Sequence, residues 1–139
     1  MDTEWRFSHI GMIVKDLSKT IAYMQQLGIF EIPSSKPEVL VGKSPNTDGA
    51  AGSILKLDIS LGGVNIEIIQ PVSGNNIQQQ FLSSHGEGLH HICFDVPNIQ
   101  RARLELAEKG VPVACHIREQ TTYYDTGEYG NMLLEIRQS

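Results

Sequence analysis

The chain has 139 residues, 40% of them apolar, and a formal charge of −5 at pH 7. That length and apolar content suit one domain with a real core. A mildly acidic chain without clustered Lys and Arg argues against a nucleic-acid surface, and no run of about 18 apolar residues predicts a transmembrane helix. Two cysteines, Cys93 and Cys115, are fewer than a small disulfide scaffold would use. Cys93 sits in an apolar strand-like run and reads as a reduced core residue. The polar, acidic start "MDTEWRFSH" is unlike a signal peptide, so a soluble cytoplasmic protein is expected.

The first element is "FSHIGMIV", residues 7–14, an alternating strand. Ile10, Met12 and Val14 fall on one face and His9, Gly11 and Ile13 on the other. "KDLS" follows, with Asp16 placed to cap a helix. Leu17, Ile21 and Met24 recur at helical spacing, and Gly28 is a helix-ending glycine. Residues 33–52 carry Pro33, Pro37, Gly42, Pro45, Gly49 and Gly52 and read as part strand, part loop. "SILKLDIS" (53–60) and "VNIEIIQP" (64–71) read as a hairpin across "LGG". Residues 72–88 form a linker with a short helix from Ile77 to Leu82.

The next strand, "LHHICFDV" (89–96), opens a second copy of the first pattern. A shift of 82 residues aligns "HIGMIVKDLSKTIAYMQQLGI" with "HICFDVPNIQRARLELAEKGV" without a gap. His9 falls on His91, Asp16 on Asn98, and Gly28 on Gly110. The second helix carries Ile99, Ala102 and Leu106. Three strands follow, "VPVACHIRE" (111–119), "TTYYDT" (121–126) and "NMLLEIRQ" (131–138), with "EYGN" (128–131) as a turn. Each half is therefore β-α-β-β-β. The expectation is an α+β fold in one domain over residues 1–139, with module one about 5–71 and module two about 89–138.

A carboxylate also stands in the last strand of each half. "NIEIIQ" puts Glu67 in the last strand of half one, and "LLEIRQ" puts Glu135 in the last strand of half two. Burying either unpaired would cost several kcal/mol, roughly. A lone strand His is ordinarily a hydrogen-bonded core residue, and a lone Glu between apolar neighbours ordinarily faces solvent. Four such residues in matched places make His9, Glu67, His91 and Glu135 a candidate metal quartet. Two imidazoles and two carboxylates suit Zn, Fe, Co, Ni or Mn better than Ca or Mg. His85 and His116 are expected on the surface, and alternation predicts that His90 points away from His91.

These motifs resemble the vicinal oxygen chelate superfamily, which includes glyoxalase I, extradiol dioxygenases, methylmalonyl-CoA epimerase and antibiotic-resistance proteins. The resemblance rests on "HIGMIVKDLSKTIAYMQQLGI", "NIEIIQP", "FLSSHGEGLHHICFDVPNI" and "MLLEI", and covers nearly the whole chain. It implies two tandem βαβββ modules forming a cupped mixed sheet around one divalent metal ion per chain. It assigns the ligands to His9, Glu67, His91 and Glu135. Within the superfamily "IEIIQPVS", "IQQQFL" and "GEGLHHICFDV" are most similar to the methylmalonyl-CoA epimerases. That likeness implies an enzyme using a metal-stabilised enolate to move a proton next to a carbonyl. Glu135 is the first choice for the base and Glu67 the second, with an acyl-CoA as substrate and a homodimer as assembly. The chain departs from the epimerases at Asp125-Thr126-Gly127, where they carry His-Pro-Lys. Their additional catalytic carboxylate is not matched convincingly by Glu38, Asp48 or Asp58. Tyr123 and Tyr124 are expected to pack between strands, with a role near the metal as the alternative. The competing readings are a glyoxalase-like lyase or isomerase acting on a thiol adduct, and a non-catalytic drug-binding protein of the bleomycin-resistance type. An extradiol dioxygenase fits less well, because a fourth protein ligand takes a position its substrates need.

Overall fold

A computed structural model describes residues 4–41, 52–117, 119–127 and 130–139. The elements run β1 (Arg6–Ile13), α1 (Leu17–Leu27), β2 (Glu38–Val41), β3 (Ser53–Leu61), β4 (Val64–Ser73), α2 (Ile77–His85), β5 (Gly88–Val96), α3 (Ile99–Glu108), β6 (Val113–Ile117), β7 (Thr121–Asp125) and β8 (Leu133–Gln138). The strands form one curled eight-stranded sheet in the order β2-β3-β4-β1-β5-β8-β7-β6. Exchanging β1 with β5, β4 with β8, β3 with β7 and β2 with β6 reverses this order and leaves it unchanged, so the repeat is also a symmetry of the sheet. The pairings obey it too. β1–β4 and β5–β8 are parallel, and β1–β5 joins the halves antiparallel.

Both helices start alike, for the same reasons. The Asp16 carboxylate accepts from the Lys19 amide and the Asn98 side chain from the Arg101 amide, each at 3.0 Å. The next orphan amides are met from the sheet: Leu17 N donates to Gln70 Oε1 at 2.8 Å and Ile99 N to Gln138 Oε1 at 2.9 Å. The ends differ slightly. Gly28 caps α1 at φ 69°, whereas Lys109 caps α3 and Gly110, at φ 72°, is one residue further on. Both glycines hold the left-handed conformation that a side chain would strain.

Each helix covers the same sheet face in its own half. Leu17 and Met24 pack with Val14, Leu57, Ile59 and Ile68. Ile99, Ala102 and Leu106 pack with Val96, Tyr124 and Ile136. Because strand side chains alternate, the opposite, inner face receives the residues between these. The linker helix, α2, runs three residues beyond the predicted Leu82 and ends at Gly86, whose amide donates to Leu82 O at 3.0 Å. Ile77 at its start packs with Cys115 and Tyr123 in a third apolar cluster. Gly42, Pro45, Gly49 and part of the "EYGN" turn lie outside the described residues.

Candidate metal centre

Strand register explains why four residues distant in sequence meet. Gly11 of β1 stands beside Glu67 of β4 and beside His91 of β5. Two residues back on β1, His9 stands beside Cys93, which stands beside Glu135 of β8. Two neighbouring rows of the inner face therefore carry His91 and Glu67 in one and His9 and Glu135 in the other. The curl of the sheet brings their tips together.

His9 Nε2 is the hub. It lies 3.6 Å from Glu67 Oε2, 3.4 Å from Glu135 Oε2 and 3.3 Å from His91 Nε2. His91 Nε2 is 3.2 Å from Glu135 Oε2. The two imidazoles meet edge to face, with ring centroids 5.4 Å apart. All four sites are secluded: His9, His91 and Glu135 are buried, and the Glu67 side chain keeps 12% of its exposure. His9, Glu67 and His91 present ligand atoms that all lie within 4.8 Å of one another, and so do His9, Cys93 and Glu135. The Cys93 thiol thus belongs to the floor of the site, which the strand pattern alone did not reveal.

The electrostatics fit a place for a cation. Burial opposes the charge on Glu135, but the neighbouring His9 and His91 outweigh it and hold this carboxyl well below the usual carboxylate range. Burial likewise opposes the charged form of His9, yet Glu135 and Glu67 raise its pKa on balance. Burial pushes up the Cys93 thiol and the Tyr123 phenol, with Glu135 adding to both, so both stay protonated at neutral pH. Among the described residues, Glu135 Oε2 is the buried side-chain oxygen that no well-aligned hydrogen bond satisfies, although the two histidine Nε2 atoms stand 3.4 and 3.2 Å from it. A buried ionised oxygen in that condition costs several kcal/mol, roughly, unless a cation satisfies it. With two imidazole nitrogens and a second carboxylate beside it, the donor set suits a divalent transition metal.

Alternation misplaces His90. Gly11 pairs with His91 but Met12 pairs with Leu89, so His90 is an extra residue, a β-bulge. The bulge brings the two rings of neighbouring residues together, with His90 Nδ1 2.9 Å from His91 Nδ1. Burial, then the neighbouring His91, lower the His90 pKa to about 3, so it is neutral at ordinary pH. Tyr123 faces the site, edge-on to His91 at 5.3 Å, whereas Tyr124 packs in the outer core as a strand-packing residue. His85 and His116 are exposed, as expected. Asp58 pairs with Glu67 across β3–β4, and Glu38 lies on edge strand β2; Asp48 is outside the described residues. A residue the sequence reading passed over is Lys56, whose Nζ lies 3.4 Å from Glu67 Oε2 and 3.8 Å from Asp58 Oδ2. The two-residue spacing from Asp58 on β3 was a signal for it, since both then share the inner face.

A sequence profile of the Glyoxalase/Bleomycin resistance protein/Dioxygenase superfamily matches residues 8–126. The chain is 23% identical to the mitochondrial methylmalonyl-CoA epimerases of Bos taurus and Homo sapiens, over 96% of its own length and 74% of theirs. Its fold is similar to the methylmalonyl-CoA epimerase of Mycobacterium tuberculosis, with a TM-score of 0.68 at 16% identity, covering 96% of this chain and 87% of that one. It is also similar to the Streptomyces coelicolor methylmalonyl-CoA epimerase solved with 2-nitronate-propionyl-CoA, with a TM-score of 0.67 at 20% identity and 96% of both chains covered. None of the described helices is long and apolar enough to cross a membrane.

Proposed function

The chain belongs to the glyoxalase/bleomycin resistance protein/dioxygenase superfamily, and from that premise we propose that it is a metal-dependent enzyme that moves a proton at the carbon next to a carbonyl of an acyl-CoA thioester. The observation that carries this reading is the buried convergence of Glu135 Oε2 on the two histidine Nε2 atoms, at 3.4 and 3.2 Å, with no well-aligned hydrogen bond to satisfy it. His9, Glu67, His91 and Glu135 would hold one divalent ion per chain, of the Zn, Co, Ni, Mn or Fe kind. When bound, such an ion supplies positive charge against the negative charge that grows on the carbonyl oxygen as the α-proton leaves.

The chain's own residues do the rest. Glu135, ionised across the ordinary pH range, accepts the α-proton, with Glu67 as the second choice. The protonated Cys93 and Tyr123 keep the floor of the site uncharged. Lys56 lies on the other side of the histidine pair from Glu135. Burial works against its charge, but Glu67 and Asp58 raise its pKa, so it stays an ammonium. An ammonium there suits a substrate with a carboxylate beside the reacting carbon, as a methylmalonyl group has. The names of the relatives support the same substrate class. A homodimer is the proposed assembly, since edge strands β2 and β6 end an open sheet.

A second reading, a lyase or isomerase acting on a thiol adduct, uses the same centre. The departure at Asp125-Thr126-Gly127 favours it over a strict epimerase. Here the Thr126 hydroxyl donates to Met132 O and the Gly127 amide to Asp125 Oδ1, so this stretch closes a turn and offers the substrate little. A drug-binding groove needs no buried histidine–carboxylate set and fits the site less well.

The test is solvent-deuterium exchange at the α-carbon of methylmalonyl-CoA. Zinc- or cobalt-loaded protein should catalyse it, chelation should abolish it, and Glu135→Gln should slow it about 10²-fold or more while retaining some metal. No exchange with methylmalonyl-CoA would remove that substrate. No exchange across a panel of acyl-CoA compounds and thiol adducts, with metal bound, would move the reading to a binding protein.

A further inference from the structure

The β1–β5 pairing contains two register breaks, not one. Phe7 pairs with Phe94 but His9 with Cys93, so Ser8 is an extra residue on β1, as His90 is on β5. Ser8 and His90 are 82 residues apart and occupy the same place in the two copies. Each immediately precedes a histidine of the quartet, and each reaches the far nitrogen of that histidine. Ser8 Oγ lies 2.9 Å from His9 Nδ1, and His90 Nδ1 lies 2.9 Å from His91 Nδ1. In a regular strand neighbouring side chains point to opposite faces and could not meet in this way. The bulge is what turns the preceding side chain onto the ring.

We propose that Ser8 and His90 are a duplicated pair of positioning residues that hold His9 and His91 with Nδ1 as the protonated nitrogen and Nε2 free to ligate. The proposal rests on the metal reading above. A neutral imidazole that ligates through Nε2 must carry its proton on Nδ1, and that proton needs an acceptor. Ser8 Oγ is one. It already accepts from Arg137 Nη2 at 3.0 Å, and Arg137 is held by Asp95 through its Nε at 2.8 Å, so the serine is fixed from behind. His90 Nδ1 is the other acceptor, which leaves the proton of His90 on its own Nε2. The His90 ring is fixed by Phe81, edge-on at 4.9 Å, and lies 6.4 Å from Tyr123. The same function is thus met by different chemistry in the two halves, a hydroxyl anchored by an arginine in one and an imidazole packed among rings in the other. The Nε2 atoms also face the carboxylates of Glu135 and Glu67. His90 and Ser8 can each donate or accept, so neither tautomer is blocked. The pair biases the ligating one once the Nε2 proton is displaced.

Two measurements test this. In zinc-loaded wild-type protein, long-range nitrogen–proton NMR should show His9 and His91 protonated at Nδ1 and His90 protonated at Nε2. This readout requires no substitution. In a chelator competition with zinc, His90→Phe, which keeps a ring without an acceptor, and Ser8→Ala should each weaken binding about 10- to 100-fold. His90→Asn and Ser8→Thr, which restore an acceptor oxygen, should recover most of it. A purely structural role would move the unfolding midpoint of the chelated protein without this pattern of loss and rescue. Zinc binding unchanged in both His90→Phe and Ser8→Ala, or His91 protonated elsewhere than Nδ1 in the zinc form, would overturn the proposal while leaving the centre intact. Wild-type protein that binds no zinc would overturn the centre itself, and the positioning role with it.

Discussion

Gly11 shows how much a single residue decides here. It holds an extended backbone conformation open to any residue, so its requirement is space. A Cβ at this position would lie 2.0 Å from His91 Cε1 and 2.3 Å from both ring nitrogens. The imidazole of His91 therefore lies over the bare backbone of β1, and no other side chain leaves room for it. Gly11→Ala is expected to push the ring off the site. Zinc affinity should fall at least about 10-fold, and the metal-free protein should lose about 1–3 kcal/mol to overpacking. Chelator competition and urea unfolding on the one variant read both, and an unchanged zinc affinity would mean that His91 is not seated as described. The four-residue quartet itself could be read from the repeat, because the 82-residue shift put His9 on His91, and Glu67 and Glu135 each fell in the last strand of a half. Its surroundings could not. Lys56, Cys93 and His90 enter the site through cross-strand register, which a linear pattern does not carry. His90 was misassigned because period-two alternation assumes an unbroken ladder, and a bulge breaks it.

At the scale of elements, the sequence carried most of the information, because caps and periodicity are local. Asp16 and Asn98 were legible as caps, and each accepts from the amide three residues on. What local reading missed is that each helix start is also tied to the sheet, through Gln70 of β4 and Gln138 at the end of β8. The strand that carries a quartet glutamate thus also anchors the helix behind it: Glu67 and Gln70 in one half, Glu135 and Gln138 in the other. Strand position and helix position are coupled twice over. Asp16→Ala and Asn98→Ala should each cost about 0.5–2 kcal/mol. The two caps serve different helices packed on different halves of the sheet, so the double variant should lose about the sum. Urea unfolding of the three variants checks this, and a double variant no worse than either single one would show that the halves do not share one cooperative unit.

At the scale of the whole molecule, duplication builds the site. Neither module alone carries more than one histidine and one glutamate of the quartet. The antiparallel β1–β5 seam brings the two pairs together, and the buried oxygen of Glu135 faces imidazole nitrogens contributed by both halves. An α+β sheet of this symmetry was foreseeable from the 82-residue repeat, but not the side-by-side placement of β1 and β5, which is a long-range pairing. The central claim is that these four side chains hold a metal ion. Elemental analysis of purified protein, after removal of loosely held ions and reconstitution with zinc or cobalt, tests it most directly. It should find about one ion per wild-type chain, and almost none in a His9→Ala/His91→Ala variant that still folds. Full occupancy in the double variant, or an empty wild-type site at saturating metal, would contradict it.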